Sequence, residues 1–296
     1  MRILPTSKIF AAVLSMAFIF ILRTTSALAQ DPWQDALVKG NYGSDATAGH
    51  YANIRGAKFY YEVYGSGQPL LLLHNNDGFI KYFSNNIPYF VAHHYQVIAM
   101  DSRAQGKSVD PKDSLTYEMM ADDANALLDH LHIDSCDVIG WSDGGIDGLL
   151  LAMRHPEKVK KLAVTGANLW PDSTALAPFI YRWISGQRDS LNRLAQTPDI
   201  KHQLKMVNLM LKEPHISLSQ LKAVRCPTLV IGGDYDAILP RHTLDIAAAI
   251  PRAYLWILPR SGHPTLIFHS GLFNQTVHNF FSRPYESLEG WGRLLR

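Results

Sequence analysis

The chain has 296 residues, 47% of them hydrophobic and 18% charged, which supplies apolar material for a large buried core and excludes disorder for most of its length. Two cysteines are too few for a disulfide scaffold or a four-cysteine zinc site, and no run reaches the roughly 18 to 20 apolar residues of a membrane span. The first 29 residues carry Arg2, Lys8 and Arg23 and no acid, so without them the formal charge of +2 falls by three to −1, which argues against nucleic acid as a partner.

In chain order, Arg2 and Lys8 precede an apolar stretch at residues 9–22, and Ala27-Leu28-Ala29 puts small residues at the two positions a signal peptidase reads. Residues 1–29 are expected to be a secretory signal cleaved before Gln30, leaving a secreted or periplasmic protein without a stable membrane span. Residues 30–50 contain three glycines and lack apolar periodicity, the pattern of a leader lying on the surface. From about Tyr51, β-rich runs at 58–64, 69–74, 95–100, 136–140, 161–165, 228–232 and 254–258 alternate with helical spacing at 117–131, 146–154 and 243–250. Several runs are continuously apolar and so covered on both faces. The alternation predicts an α/β protein with a mostly parallel, doubly wound sheet. The first two strands, joined by a short glycine-containing turn, are expected to form an antiparallel edge. Residues 167–224 show no strand pattern and read as a small helical cap inserted into a core of 51–166 and 225–284, with 285–296 as a tail. Asn274-Gln-Thr276 is a formal glycosylation sequon to which no role is assigned.

Gly140-Trp141-Ser142-Asp143-Gly144 stands between the strand CDVIG and the helix IDGLLLAMRH, which is G-x-S-x-G in the context its chemistry needs. A sharp strand-to-helix turn exposes the serine, small residues two before and two after it avoid collision, and the helix N-terminus offers N–H groups to an oxyanion. A serine nucleophile needs a base and an orienting carboxylate, in the chain order Ser, Asp or Glu, His. The strand TLVIG runs into Gly233-Asp234-Tyr235-Asp236 and the strand AYLWIL into Ser261-Gly262-His263-Pro264. His263 is therefore the candidate base, and Asp234 and Asp236 are both candidate acids.

With GWSDGG, GGDYDAILP and SGHP in that order, residues 51–281 resemble the α/β-hydrolase superfamily, and residues 140–168 are similar to its valacyclovir-hydrolase branch. The resemblance implies the α/β-hydrolase fold with a cap, a triad of Ser142, Asp236 and His263, and a loop-fixing role for Asp234. It implies an oxyanion hole made by the backbone N–H groups of Asn75 and Asp143, with neither metal nor cofactor. Asp101-Ser102-Arg103 and Lys107-Ser108 match a D-x-R-x-x-G-x-S loop, in which Ala104 replaces a common glycine as a harmless packing change. His74-Asn75-Asn76-Asp77-Gly78 departs from the family's His-Gly-x-x-Gly, and the Asn75 side chain is expected to enter the pocket. In that branch the acid after the serine attracts a substrate ammonium, so Asp143 is read either as a substrate contact or as a carboxylate favoured by the helix dipole. Trp141 and Trp170 are further candidate substrate contacts.

The family's strand order places Cys136 and Cys226 two strand spacings apart, about 9.6 Å, beyond the roughly 7 Å a disulfide allows, so both thiols are expected to be free. The function implied is an exported serine hydrolase cleaving a small-molecule carboxylic ester through an acyl-enzyme. The same parts would serve a lactonase, an amidase or a C–C hydrolase, and loss of turnover would leave a ligand-binding protein.

Overall fold

The computed structural model describes residues 33–112 and 114–287, so the expected signal at 1–29 and residues 288–296 of the expected tail lie outside the described residues. Eight strands form one sheet: β1 (Gly49–Ile54), β2 (Ala57–Tyr64), β3 (Gln68–Leu73), β4 (Tyr95–Met100), β5 (Cys136–Trp141), β6 (Val159–Thr165), β7 (Thr228–Gly233) and β8 (Ala253–Leu258). Their order is β1-β2-β4-β3-β5-β6-β7-β8. From β4 to β8 every pairing is parallel, and β2 pairs antiparallel with both β1 and β4.

This order corrects one expectation. The first two apolar runs, now β2 and β3, do not pair, because β4 lies between them. The link from Gly65 to Gly67 is pressed against the residues that lead into β4: Gly67 has φ of 123°, and a Cβ there would stand 2.0 Å from the His94 carbonyl oxygen. The described part of the 30–50 segment is mostly exposed and is fastened to β2. Fully buried Glu62 in β2 accepts from Gly43 N at 2.7 Å, Asp45 N at 3.0 Å and the Tyr60 and Tyr64 hydroxyls at 2.7 Å each. Leu37 is buried as well, and Gly49 opens β1.

The eight α-helices described are α1 (Ile87–Ala92), α2 (Tyr117–His130), α3 (Asp143–Arg154), α4 (Pro178–Leu191), α5 (Pro198–Lys212), α6 (Pro240–Ala249), α7 (Thr265–Phe268) and α8 (Ser270–Ser282). Alternate residues of each central strand serve opposite faces. Leu71, Leu73, Ile98, Val138 and Val164 pack with α2, α3 and α6, while Leu70, Leu72, Val97, Ile139 and Ala163 pack with α1 and α8. Each fully buried leucine contributes about 1.5–3 kcal/mol. Helix starts are encoded locally: Thr116 Oγ1 accepts from Met119 N at 3.2 Å, and Thr197 Oγ1 accepts from Ile200 N just ahead of Pro198.

In the interval between β6 and β7, α4 and α5 pack on each other through Ile184, Leu191, Ile200 and Val207. Against α1 and the sheet face it shares, α8 docks through a polar lock. Buried Asn274 accepts from Asn86 Nδ2 at 2.6 Å and donates to the Asn85 carbonyl at 2.8 Å. Cys136 and Cys226 are free thiols; burial pushes the first up to about 12 and the second to about 11. Among the described residues no helix is long and apolar enough to cross a membrane.

Candidate active site

Between the last residue of β5 and the first of α3 stands Ser142, with φ 57° and ψ −118°. A backbone of this kind costs about 1–3 kcal/mol and persists only where its surroundings over-determine it. Here Ser142 N donates to the Thr165 carbonyl at 2.9 Å, and the Ser142 carbonyl accepts from Gly145 N at 2.8 Å and Ile146 N at 3.1 Å. Two glycines give the turn its room. A Cβ at Gly140 would meet the Gly144 carbonyl oxygen at 2.1 Å, and one at Gly144 would meet that of Leu73 at 2.1 Å.

The turn aims Ser142 Oγ at His263 Nε2, 2.9 Å away, and His263 Nδ1 lies 2.6 Å from Asp236 Oδ1. Asp236 is buried just past the end of β7, where its two oxygens also accept from Gly233 N at 3.2 Å and Ile238 N at 3.1 Å. Burial pushes the Asp236 carboxyl up, but the His263 imidazole and these donors outweigh it and hold the group below the ordinary carboxylate range. An ionised Asp236 accepts the hydrogen bond from Nδ1–H and keeps the proton on that nitrogen, which leaves Nε2 as the acceptor for the serine hydroxyl. Asp234 stands apart from this line: it is exposed and accepts from Ser261 N at 3.0 Å, which fixes the loop that carries His263.

Two residues brace His263. The Trp141 indole N–H donates to the His263 carbonyl at 3.1 Å, and Gly166, at φ 64°, passes under the ring. A Cβ on Gly166 would stand 2.7 Å from His263 Cε1.

The geometry departs from the expected substrate contacts at Trp141 and Asp143, and shows what holds Trp170. Trp141 is fully buried, packed against Trp33 and Tyr82 at 5.4 and 6.0 Å, with its N–H already committed to His263; every residue of β5 is buried, so the second position of G-x-S-x-G faces the core. Trp170 donates to Thr174 Oγ1 at 2.7 Å and stands edge-on to His242 at 4.5 Å, which pins it to the chain after β6. Asp143 is 4% exposed, and its carboxyl accepts from Asn76 Nδ2 at 2.8 Å and from the Tyr117 hydroxyl. Burial pushes Asp143 up to about 6, against the pull of those two donors and of His263. The acid after the serine is thus closed off rather than open to a substrate cation.

The loop after β3 is organised by His74. Its Nε2 accepts from Ser102 N at 2.9 Å, so the proton sits on Nδ1 and is donated to the Asn75 carbonyl at 2.7 Å; burial drives this imidazole down to about 4. Asn75 O also accepts from Gly78 N at 3.1 Å, and the Asn75 side chain folds back over Gly78, with its Oδ1 2.3 Å from where a Cβ would be. It therefore packs on its own loop, contrary to the expected entry into the pocket. The positive φ in this loop is at Asp77 (48°), so the position of Asn75 makes no demand for glycine. Asn76 Nδ2 also reaches the Met206 carbonyl in α5 at 3.4 Å.

Asp101 ties the neighbouring loop together by accepting from Ile80 N at 2.9 Å and Lys107 N at 2.7 Å, and buried Arg103 pairs with Asp123 at 2.6 Å and Asp110 at 3.2 Å. Ala104 sits at φ 61°, so replacing glycine there strains the backbone and is more than a packing change. His74, Asn76, Tyr117 and Gly166 are the site residues that sequence reasoning did not single out for these roles. A glycine directly past a strand end is a legible signal for the last of them; nothing in the sequence links Tyr117 to Asp143.

Residues 68–191 match the family model for the alpha/beta hydrolase fold. Over 260 residues, which are 81% of this chain and 88% of the relative, the chain is 27% identical to serine hydrolase BPHL of Mus musculus. It is 28% identical over 254 residues to the 2-hydroxymuconate semialdehyde hydrolase of Pseudomonas sp. (strain CF600), covering 74% of this chain and 88% of that one. The solved structure of the enol-lactonase from Burkholderia xenovorans LB400 is similar with a TM-score of 0.66 at 21% identity, covering 79% of this chain and 100% of that one, a likeness of fold alone.

Proposed function

From the premise that the chain belongs to the α/β-hydrolase superfamily and is a hydrolase of that fold, we propose that it is a serine hydrolase that cleaves a small carboxylic ester through an acyl-enzyme. The observation that carries this reading is the unbroken line from Asp236 Oδ1 through His263 to Ser142 Oγ, with contacts of 2.6 and 2.9 Å. In this mechanism Ser142 Oγ attacks the ester carbonyl carbon while His263 Nε2 takes the hydroxyl proton, and Asp236 stabilises the imidazolium that forms. The N–H groups of Asn75 and Asp143 receive the oxyanion. His263 then hands its proton to the leaving alcohol, and a water activated by the same imidazole releases the acid. The closed carboxyl of Asp143 favours plain acyl esters over α-amino esters. Residues 1–29 would direct export, and the protein would act outside the cytoplasm.

A fluorophosphonate probe and a series of p-nitrophenyl esters test the reading. Wild type is expected to be labelled at Ser142, and Ser142→Ala to keep its fold while kcat falls by about 10⁴ to 10⁶. Retention of more than about a tenth of wild-type kcat would sink the mechanism. Plain and α-amino esters of equal length are expected to agree within a few-fold in kcat/KM. A preference of about tenfold or more for the amino ester would mean that Asp143 opens to substrate.

A further inference from the structure

Residues 33–38 connect to the His263 loop by two separate routes, one through Trp141 and one through Asn85. On the first, Trp33 packs its ring 5.4 Å from Trp141 and edge-on to Tyr82 at 5.3 Å, and Trp141 is the residue whose N–H holds the His263 carbonyl. The second runs through one side-chain amide. Asn85 Oδ1 accepts from Val38 N at 2.6 Å, while its Nδ2 donates to the Ala36 carbonyl at 2.8 Å and to the Ile267 carbonyl at 3.2 Å. Ile267 lies in α7, which begins two residues after His263. The main chain is thereby fastened at the His263 carbonyl and again four residues on, at Ile267, in each case by a partner that the same short segment holds. This segment lies ahead of the matched family region, which begins at residue 68.

We infer that residues 33–38 form a strap that positions His263, with Trp33 as its positioning residue acting through Trp141. The inference rests on the function proposed above. Without the Trp33 ring, one side of the Trp141 indole loses its packing, the indole can tilt, and the His263 carbonyl loses its anchor. Displacing a catalytic group by about 1 Å can cost about 10²-fold in rate.

The test uses the full chain with Trp33→Ala, Trp33→Phe and, as a control, Tyr42→Ala, whose ring packs on Tyr64 and not on the His263 loop. Trp33→Ala is expected to lower kcat on an ester about tenfold or more, with KM within about twofold, and to slow fluorophosphonate labelling of Ser142 in parallel. Trp33→Phe should restore most of the rate, and Tyr42→Ala should lower thermal stability while leaving kcat in place. A readout independent of turnover is the far-downfield proton resonance of the short His263–Asp236 hydrogen bond. It is expected in wild type and Trp33→Phe and broadened or lost in Trp33→Ala. If Trp33→Ala does not fold, Trp33→Leu keeps most of the buried volume and carries the same expectation. Wild-type kcat and an unchanged resonance in Trp33→Ala or Trp33→Leu would overturn the strap, as would equal loss of kcat in Tyr42→Ala. Absence of labelling and turnover in wild type would instead refute the functional reading, and the resonance would still decide the strap.

Discussion

Beneath the His263 ring the main chain at Gly166 has no slack, since its N–H is bonded to the Ile231 carbonyl at 3.2 Å and its φ of 64° is held there. Gly166→Ala therefore adds left-handed strain of about 1–2 kcal/mol and pushes a methyl group into the imidazole. Its kcat on esters is expected to fall by about 10² or more, with the circular dichroism spectrum unchanged. Wild-type kcat in this variant would mean that the ring can shift without loss. Ala104 is the converse case, a non-glycine residue already at φ 61°, where the resemblance to the family's D-x-R-x-x-G-x-S loop implies glycine. Ala104→Gly relieves that strain and gives back part of it as chain entropy. The expected net gain is about 0.5–1 kcal/mol, read from urea unfolding. A loss of stability would show that the methyl group's packing outweighs the backbone.

At the N-terminal ends of the strands, Asp137 in β5 borders a cavity of about 430 Å³ that is also lined by Lys160, Lys161, His93 and His278. Burial pushes its carboxyl up to about 7 against the pull of Lys161 and Lys160, and Lys161 is itself engaged with the Phe280, Phe281 and Arg283 carbonyls at the end of α8. A carboxyl raised in the folded state favours folding below its unfolded value, about 3.9, and this contribution is lost as pH rises through about 7. Asp137→Asn cannot ionise, so its stability relative to wild type should rise by about 2 kcal/mol between pH 5 and pH 8, as measured by chemical denaturation at both. A difference that does not change with pH would mean that Lys160 and Lys161 keep the carboxylate charged throughout. The central strands were legible because each is an apolar run covered on both faces, as in the Leu70 to Leu73 stretch of β3. β1 was not, because an edge strand with Ala52 as its one buried residue shows no alternation. The pairing of β2 escaped for another reason: a glycine turn announces a change of direction but carries no information about which strand comes to lie alongside.

On the scale of the whole molecule, Ser142, Asp236 and His263 could be read as candidates because each follows the end of a parallel strand, and the sheet gathers those ends at one edge. The features that sequence reasoning misjudged depend on contacts between distant segments. Tyr117 meets the Asp143 carboxyl, Trp33 covers Trp141, and α5 offers its Met206 carbonyl to Asn76. None of these leaves a local pattern. The Asn274 lock bears on how the protein can be made. In a eukaryotic secretory host Asn274-Gln-Thr276 is open to glycan transfer while the chain is extended, yet in the folded chain Asn274 is 3% exposed and both ends of its amide are engaged. A sugar on that nitrogen and a docked α8 exclude each other. Secretion from yeast should therefore give a glycosylated, inactive fraction beside an unmodified, folded one, and Thr276→Ala should send all of the material into the second.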